Sequence, residues 1–260
     1  KPSRGLVSRT GIIPLSSSFD APGVLARNPE ILREVFLSMI GVDPADDQSF
    51  ELRSKESKPS RKRIILCVNR SLGEMELLQT KLRSFLAQLK LNGFEIIFID
   101  LPEVSFDYKT ISSTDIRADI TKFLHRYGPD NEPRSFEGLV ECYRERPHAH
   151  LYGMERLEDA LAMPQIEKSE LKKLVQENVA KARNLINSIL DRYDADFVGF
   201  LNFVDWFSIG GGPSSTLPVS FETKPPISIM LGSRVGNDLA LLDIVQEFSE
   251  VAKAAQHTDN

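Results

Sequence analysis

An α/β fold, with a mixed and largely parallel sheet covered by helices, is predicted by three features of this 260-residue chain. Residues 63–69 (RIILCVN) and 94–100 (FEIIFID) are continuous apolar runs of strand length. Between them Leu78, Leu82, Phe85, Leu86 and Leu89 fall on one face of a helix over residues 74–92, with Gly93 at its C-cap. That makes a βαβ unit, in which the helix is the right-handed crossover between parallel neighbours. Burial on both faces would account for two strands with no alternation. The third feature is the long helical pattern of residues 114–191, enough apolar surface to cover such a sheet.

The elements follow in order. Residues 5–28 (GLVSRTGIIPLSSSFDAPGVLARN) mix Gly, Ser, Pro and charge too densely for a regular helix, and turn signals at Gly11 and at Pro22 and Gly23 flank a short apolar run from Ile12. This reads as an ordered, partly buried loop. Asn28 then caps a helix with Pro29 in its first position, and Leu32, Val35, Phe36, Met39 and Ile40 keep helical spacing up to Gly41. Residues 43–63 are charged and polar, a surface excursion that ends in a Lys/Arg cluster.

After the βαβ unit, Ile116, Ile120, Phe123 and Leu124 mark one helix. A Pro-rich break follows, then helices over 136–146 and 154–163, and a long one over 168–193 with Leu171, Leu174, Val175, Val179, Ala182, Leu185, Ile186 and Ile189 as its stripe. Residues 197–209 (FVGFLNFVDWFSI) are the densest aromatic stretch. Gly210, Gly211, Gly212 and Pro213 break it, and Leu217, Pro218 and Val219 lead to a strand over 227–231. The last helix, 238–255, buries Leu239, Leu242, Val245, Phe248 and Val251.

A hydrophobic content of 41% in a chain of this length supports a packed core. The formal charge of −5, from 32 Lys and Arg against 37 Asp and Glu, gives no general basis for nucleic-acid binding, which needs clustered cations. Cys67 and Cys142 have neither metal nor redox spacing, and reduced thiols fit a cytoplasmic setting. No run reaches the roughly 18 apolar residues of a membrane span, and no leader pattern opens the chain. Neither a nucleic acid nor a membrane is therefore expected as a partner.

The opening stretch resembles the amidase signature family. The residues that carry the likeness are Lys1 and Pro2, Gly5, Val7, Ser8 and Arg9, Gly11, Pro14 and Leu15, Ser18, Asp20, Gly23, and Ala26 and Arg27. The ending is similar to the family's as well, at Gly212, Pro213, Ser215, Leu217, Pro218 and Val219, the apolar strand, Gly232, Gly236, Asp238, and Leu241 and Leu242. Tyr152 and Gly153, with Leu157, Glu158 and Ala160, resemble the peptide-amidase-like branch. Val24, where Pro is usual, and Asn28, where Thr is usual, depart from the pattern.

This resemblance implies a hydrolase of carboxamide C–N bonds that needs no cofactor and no metal, acting on a small-molecule or peptide amide. Its machinery would be a nucleophilic Ser, a bridging Ser and a Lys base, and all three precede the opening run in the family. Residues 1–260 then read as a single amidase-family domain, N-terminally incomplete, with no catalytic residue of its own, and the start at Lys1 reads as cut. Within the family, the alternative is the amidotransferase subunit that acts on glutamyl-tRNA. Outside it, the alternative is a truncated, non-catalytic member or association module, for which the missing half would leave an exposed edge open to self-association.

Candidate site residues follow from the same reading. Asp20, in a segment that lies beside the active site in the family, is assigned either a substrate-pocket contact or a structural hydrogen-bonding role. Ser18 beside it has no His or Lys nearby in sequence to act as base. Asp205 and Trp206 sit where most members carry a Pro-Thr loop lining the substrate pocket, so both are candidate substrate contacts, with a packed Trp the competing reading. Gly210 to Gly212 lack the Lys-Ser/Thr ending of a phosphate loop and fit a close-approach turn. His148 and His150, two apart, have no third ligand nearby and read as a surface pair rather than a metal site.

Overall fold

The computed structural model describes residues 1–52, 61–130, 132–146, 148, 151, 153–220 and 225–258, the last three as backbone only. In chain order the elements are α1 (Pro29–Met39), β1 (Arg63–Val68), α2 (Glu74–Thr80), α3 (Arg83–Leu91), β2 (Glu95–Asp100), α4 (Tyr108–Tyr127), α5 (Phe136–Arg144), α6 (Glu155–Ala162), α7 (Lys168–Arg192), β3 (Phe197–Phe200), α8 (Trp206–Gly210), β4 (Ser214–Ser220), β5 (Ile227–Gly232) and α9 (Asp238–Thr258), with a 3-10 turn at Arg70–Leu72 before α2. The chain divides into two compact units. One comprises Lys1–Ser8, Ala21–Val104 and Lys181–Asn260, and the other Arg9–Asp20 and Ser105–Ala180.

The first unit holds the sheet, in strand order β2-β1-β3-β5-β4. Strand β1 pairs in parallel with β2 and β3, while β5 opposes both β3 and β4. Four of the five strands therefore run in one sense, and the mixed α/β architecture is as the sequence predicts. Alternation sorts β1 between the two faces. Ile64, Leu66 and Val68 enter the core beneath α2, α3 and α9, where Phe248 takes edge contacts from Phe85 (5.4 Å) and Phe94 (5.3 Å). Further along the sheet, Phe200 packs edge-on to Trp206 and Phe207, and the Phe207 ring lies over Gly232 in space a Cβ would occupy.

Four local readings change. Strand β2 is an edge strand and only half covered, so its apolar run does not reflect burial on both faces as that of β1 does. The helix expected over 74–92 is two helices. Lys81 and Leu82 both donate to the Leu77 carbonyl, and this widened turn re-aims the chain so that Leu78, Leu82, Phe85 and Leu89 all enter one core. Residues 214–220 form a strand of their own, and Pro218 is tolerated there because β4 is an edge. The pairing with β5 shifts register between Pro218 and Ser220. Part of the charged excursion folds down: Asp46 is buried, Phe50 and Leu52 pack with Leu6 and Val7, and residues 53–60 lie outside the described part.

The second unit is helical. Ile116 and Ile120 of α4, Phe136 and Val140 of α5 and Ala160 of α6 form its core, with Met154 and Leu15 against it. Ser135 caps α5 by accepting from Gly138 N–H (3.1 Å), and Phe136, wholly buried, follows the cap. Asn178 of α7 is buried and joins the start of α4: its Oδ1 accepts from Asp107 N–H (2.9 Å) and its Nδ2 donates to Asp107 Oδ2 (3.1 Å).

Candidate functional site

In the helical unit two carboxylates of α4 fix the opening loop, and a third, Asp20, braces it from within. Asp115 and Asp119, one turn apart, face residues 16–18. Ser16 Oγ donates to Asp115 Oδ2 (2.5 Å), Ser18 N–H donates to the same oxygen (3.2 Å), and Ser17 N–H donates to Asp119 Oδ2 (2.7 Å). Arg9 closes the loop from within by donating to the Ser17 carbonyl (2.6 Å). Burial pushes the Asp119 carboxyl above its usual range, against the Ser17 hydrogen bonds, and the negative charges of Asp115 and Asp20 add to the rise.

Asp20 belongs to this arrangement. Its Oδ2 accepts from Leu15 N–H and Ser16 N–H (2.9 Å each), while its own N–H donates to the Ser16 carbonyl (2.8 Å). That oxygen is thus engaged in holding a turn. The Ser16 hydroxyl points at a carboxylate, which anchors it; acyl transfer would need a base such as a neutral amine or imidazole at that oxygen.

In the sheet unit the two ends of the sequence pattern meet at a buried carboxylate. Ser3, wholly buried, donates to Asp238 through its N–H (2.7 Å) and its Oγ (2.6 Å), and Ser3 Oγ accepts from Gly236 N–H (2.8 Å). Beside this lock, Lys1 Nζ donates to the carbonyls of Gly212 (2.7 Å) and Pro2 (2.8 Å), Arg183 Nε donates to that of Gly210 (2.7 Å), and Arg4 N–H donates to that of Gly211 (3.0 Å). The glycine turn thus presents the Gly210 and Gly212 carbonyls to cationic side chains, the reverse of a phosphate cradle. Burial pushes the Asp238 carboxyl up in spite of its Ser3 hydrogen bonds.

Burial also pushes the Lys1 side-chain amine down to about 7, helped by Arg4 and opposed by Asp238. Between about 7 and the ordinary value of 10.5 the unfolded chain holds a proton that the folded chain has released. Stability therefore rises with pH through this window, by at most about 1.4 kcal/mol per pH unit, and is lost as pH falls through about 7. Urea midpoints measured from pH 7 to pH 10 should climb, and Lys1→Met should flatten that climb.

Asp205 stands just before α8, half-buried. Burial raises its carboxyl pKa, against a hydrogen bond from its own backbone N–H. Trp206, only 3% exposed, turns its ring onto Phe200 (5.0 Å) and into the core. Cys67 is buried and its thiol is pushed up to about 12 by desolvation, so it is a poor nucleophile. Cys142, a half-exposed free thiol, lines a cleft of about 210 Å³ with Leu124, Pro133, Leu139 and Tyr143.

In the described part of the basic cluster, Arg61 pairs with Asp194, Lys62 with Glu247 (2.5 Å) and Arg63 with Glu95 (2.7 Å). Among the described residues no group of His, Cys, Asp or Glu could hold a metal ion, and no helix is long and apolar enough to cross a membrane. His150 and Tyr152 lie outside the described residues. Sequence reasoning named Asp20 and Asp238 as pattern positions but missed Asp115, Asp119 and the Ser3–Asp238 pairing. A carboxylate pair one turn apart on α4 was the available signal for the first two.

A family model described as Amidase matches residues 1–242. The A-type subunit of glutamyl-tRNA(Gln) amidotransferase from Orientia tsutsugamushi (strain Boryong) is 28% identical over 251 residues, covering 89% of this chain and 48% of the relative. Its namesake from Neisseria gonorrhoeae (strain ATCC 700825 / FA 1090) is 28% identical over 154 residues, 55% of this chain and 32% of the relative. An amidase family protein from Bacillus anthracis str. Ames superposes with a TM-score of 0.82 at 21% identity, over 97% of this chain and 52% of that one. The native peptide amidase from Stenotrophomonas maltophilia superposes at 0.79 and 18% identity, over 97% and 57%. At these identities the superpositions establish the fold. The chain spans about half, or less, of the length of these curated relatives.

Proposed function

Because the chain belongs to the amidase family, we propose that it is the C-terminal portion of a hydrolase that cleaves carboxamide C–N bonds. The observation that carries the reading is the family match over residues 1–242, which takes in both the Ser3 and the Asp238 ends of the buried lock. The catalytic groups come from the family's other half. There a Lys withdraws the proton of a nucleophilic Ser through a bridging Ser, the Ser oxygen attacks the amide carbon, and the amine leaves from an acyl-enzyme that water then hydrolyses. Within this chain Asp20 shapes the opening loop, half-buried Asp205 is the candidate substrate contact, and Trp206, packed on Phe200, holds the start of α8 in place.

The substrate class is a small-molecule or peptide amide. The relatives named for glutamyl-tRNA(Gln) amidotransferase support an amidotransferase reading within the same chemistry. The carboxylates paired to Arg61, Lys62 and Arg63 speak against that cluster as a tRNA contact. Cys67 and Cys142, both free thiols, fit a cytoplasmic setting.

The test is amide turnover, followed as ammonia or amine release from a panel of peptide amides and glutamine. The isolated chain should release none, and the chain joined to a family half bearing Ser, Ser and Lys should turn over. Release by the isolated chain would refute the assignment of the catalytic groups, and silence of the joined protein across the panel would favour the non-catalytic reading.

A further inference from the structure

We infer that the exposed flank of α1, built on Ile31, Val35 and Met39, is the seat of the half of the amidase domain that lies outside this sequence. Helix α1 carries one wide apolar arc, of which part is covered and part exposed. Its inner side puts Phe36, the helix's one buried residue, with partly covered Leu32 against Leu6, Val7, Leu239 and Leu242, and Arg33 pairs with Asp243 of α9 (2.5 Å). Next to that covered part, the arc continues with Ile31, Val35 and Met39 at four-residue spacing, 47%, 39% and 38% exposed. Leu25, Leu37 and Val42, in the same stretch of sequence, are exposed too.

Scattered exposed apolar residues need no explanation, but six of the fifteen large ones among the described residues fall within residues 25–42. An apolar arc wider than its present neighbours cover has room for a second one beside α9.

The occupant follows from the lengths. Nearly all of this chain, 97%, superposes on 52% of the Bacillus anthracis protein and 57% of the Stenotrophomonas maltophilia enzyme, so almost half of each of those chains falls outside the match. The covering partner is that remaining half, on the same polypeptide or on a separate one, meeting α1 with apolar side chains. This rests on family membership and not on the activity proposed above.

Methionine footprinting reads the face directly. The isolated chain and the polypeptide or complex purified from its source are exposed to dilute peroxide, and sulfoxide formation at Met39 is followed by mass spectrometry, with half-buried Met163 as internal reference. Met39 should oxidise several-fold more slowly in the native material, and the native mass should exceed 29.2 kDa by a family half. Val35→Lys, with Ile31→Glu as a second variant, should restore the oxidation rate of the isolated chain while leaving that chain's own melting temperature unchanged.

Equal oxidation in both samples overturns the inference. So does protection in a particle whose mass is a multiple of this chain alone, which would assign the face to a second copy. Protection that survives both substitutions overturns it as well.

Discussion

Gly5→Ala should destabilise the chain by about 3 kcal/mol and lower its melting temperature by roughly 10 °C. Two costs combine. Gly5 has φ +94, which an L side chain rarely adopts, and an added Cβ would lie 2.1 Å from the Gln48 carbonyl oxygen and 2.9 Å from the Phe50 ring. The first obstacle is backbone, so a rotamer change cannot relieve it. The segment it belongs to is also tethered, because Phe50 N–H donates to the Gly5 carbonyl (3.0 Å). Retreat of residues 48–50 would break that bond and uncover Leu6, which is wholly buried. The urea midpoint of Gly5→Ala beside that of Gly11→Ala separates the costs, since Gly11 also has positive φ (+78) but open space around it. Equal losses at the two positions would remove the steric part of the argument.

Asp238→Ala should cost a similar amount, about 3 kcal/mol, by leaving the N–H and hydroxyl of wholly buried Ser3 without their acceptor. Asp238→Asn should cost about half as much, because burial already draws this carboxyl toward its neutral form and the amide oxygen can still accept. A second readout distinguishes this account from general damage. Asp238 is the group that raises the Lys1 pKa against burial, so its removal lowers that pKa further. The climb of stability with pH should then begin below about pH 7 in Asp238→Asn. An unmoved onset, with full stability retained, would mean that the Ser3 contact carries no weight.

The sheet was legible where one residue type has one physical cause. The run 63–69 is apolar because β1 is central, and helix α1 begins where Asn28 caps it with Pro29 in first position. Strand β2 shows the limit: its run is as apolar as that of β1, yet it is an edge strand half open to solvent. Periodicity reports what a strand could bury, while its place in the sheet decides what it does bury.

The break at Lys81 was hidden because the apolar spacing runs through it unbroken, and β4 was hidden because Pro218 argues against a central strand, which β4 is not. Asp20 illustrates the difference at the site. Its importance could be read from the pattern around it, but its partners, Leu15 and Ser16 N–H, depend on how the loop turns. The Ser3–Asp238 pair, 235 positions apart, left no local trace in either segment.

The β4 edge also governs how the chain behaves when crowded. Pro218 has no N–H to offer an incoming strand, and the register shift beside it twists the edge out of line, so a foreign strand finds no continuous ladder there. Among the described residues strand β2 pairs with β1 alone, and its outer edge is the side of this sheet open to an added strand. Growth that can proceed from one side only stops when two such sides meet. Strand-to-strand association through the edges of these five strands is therefore expected to stop at a pair rather than to propagate into a fibre.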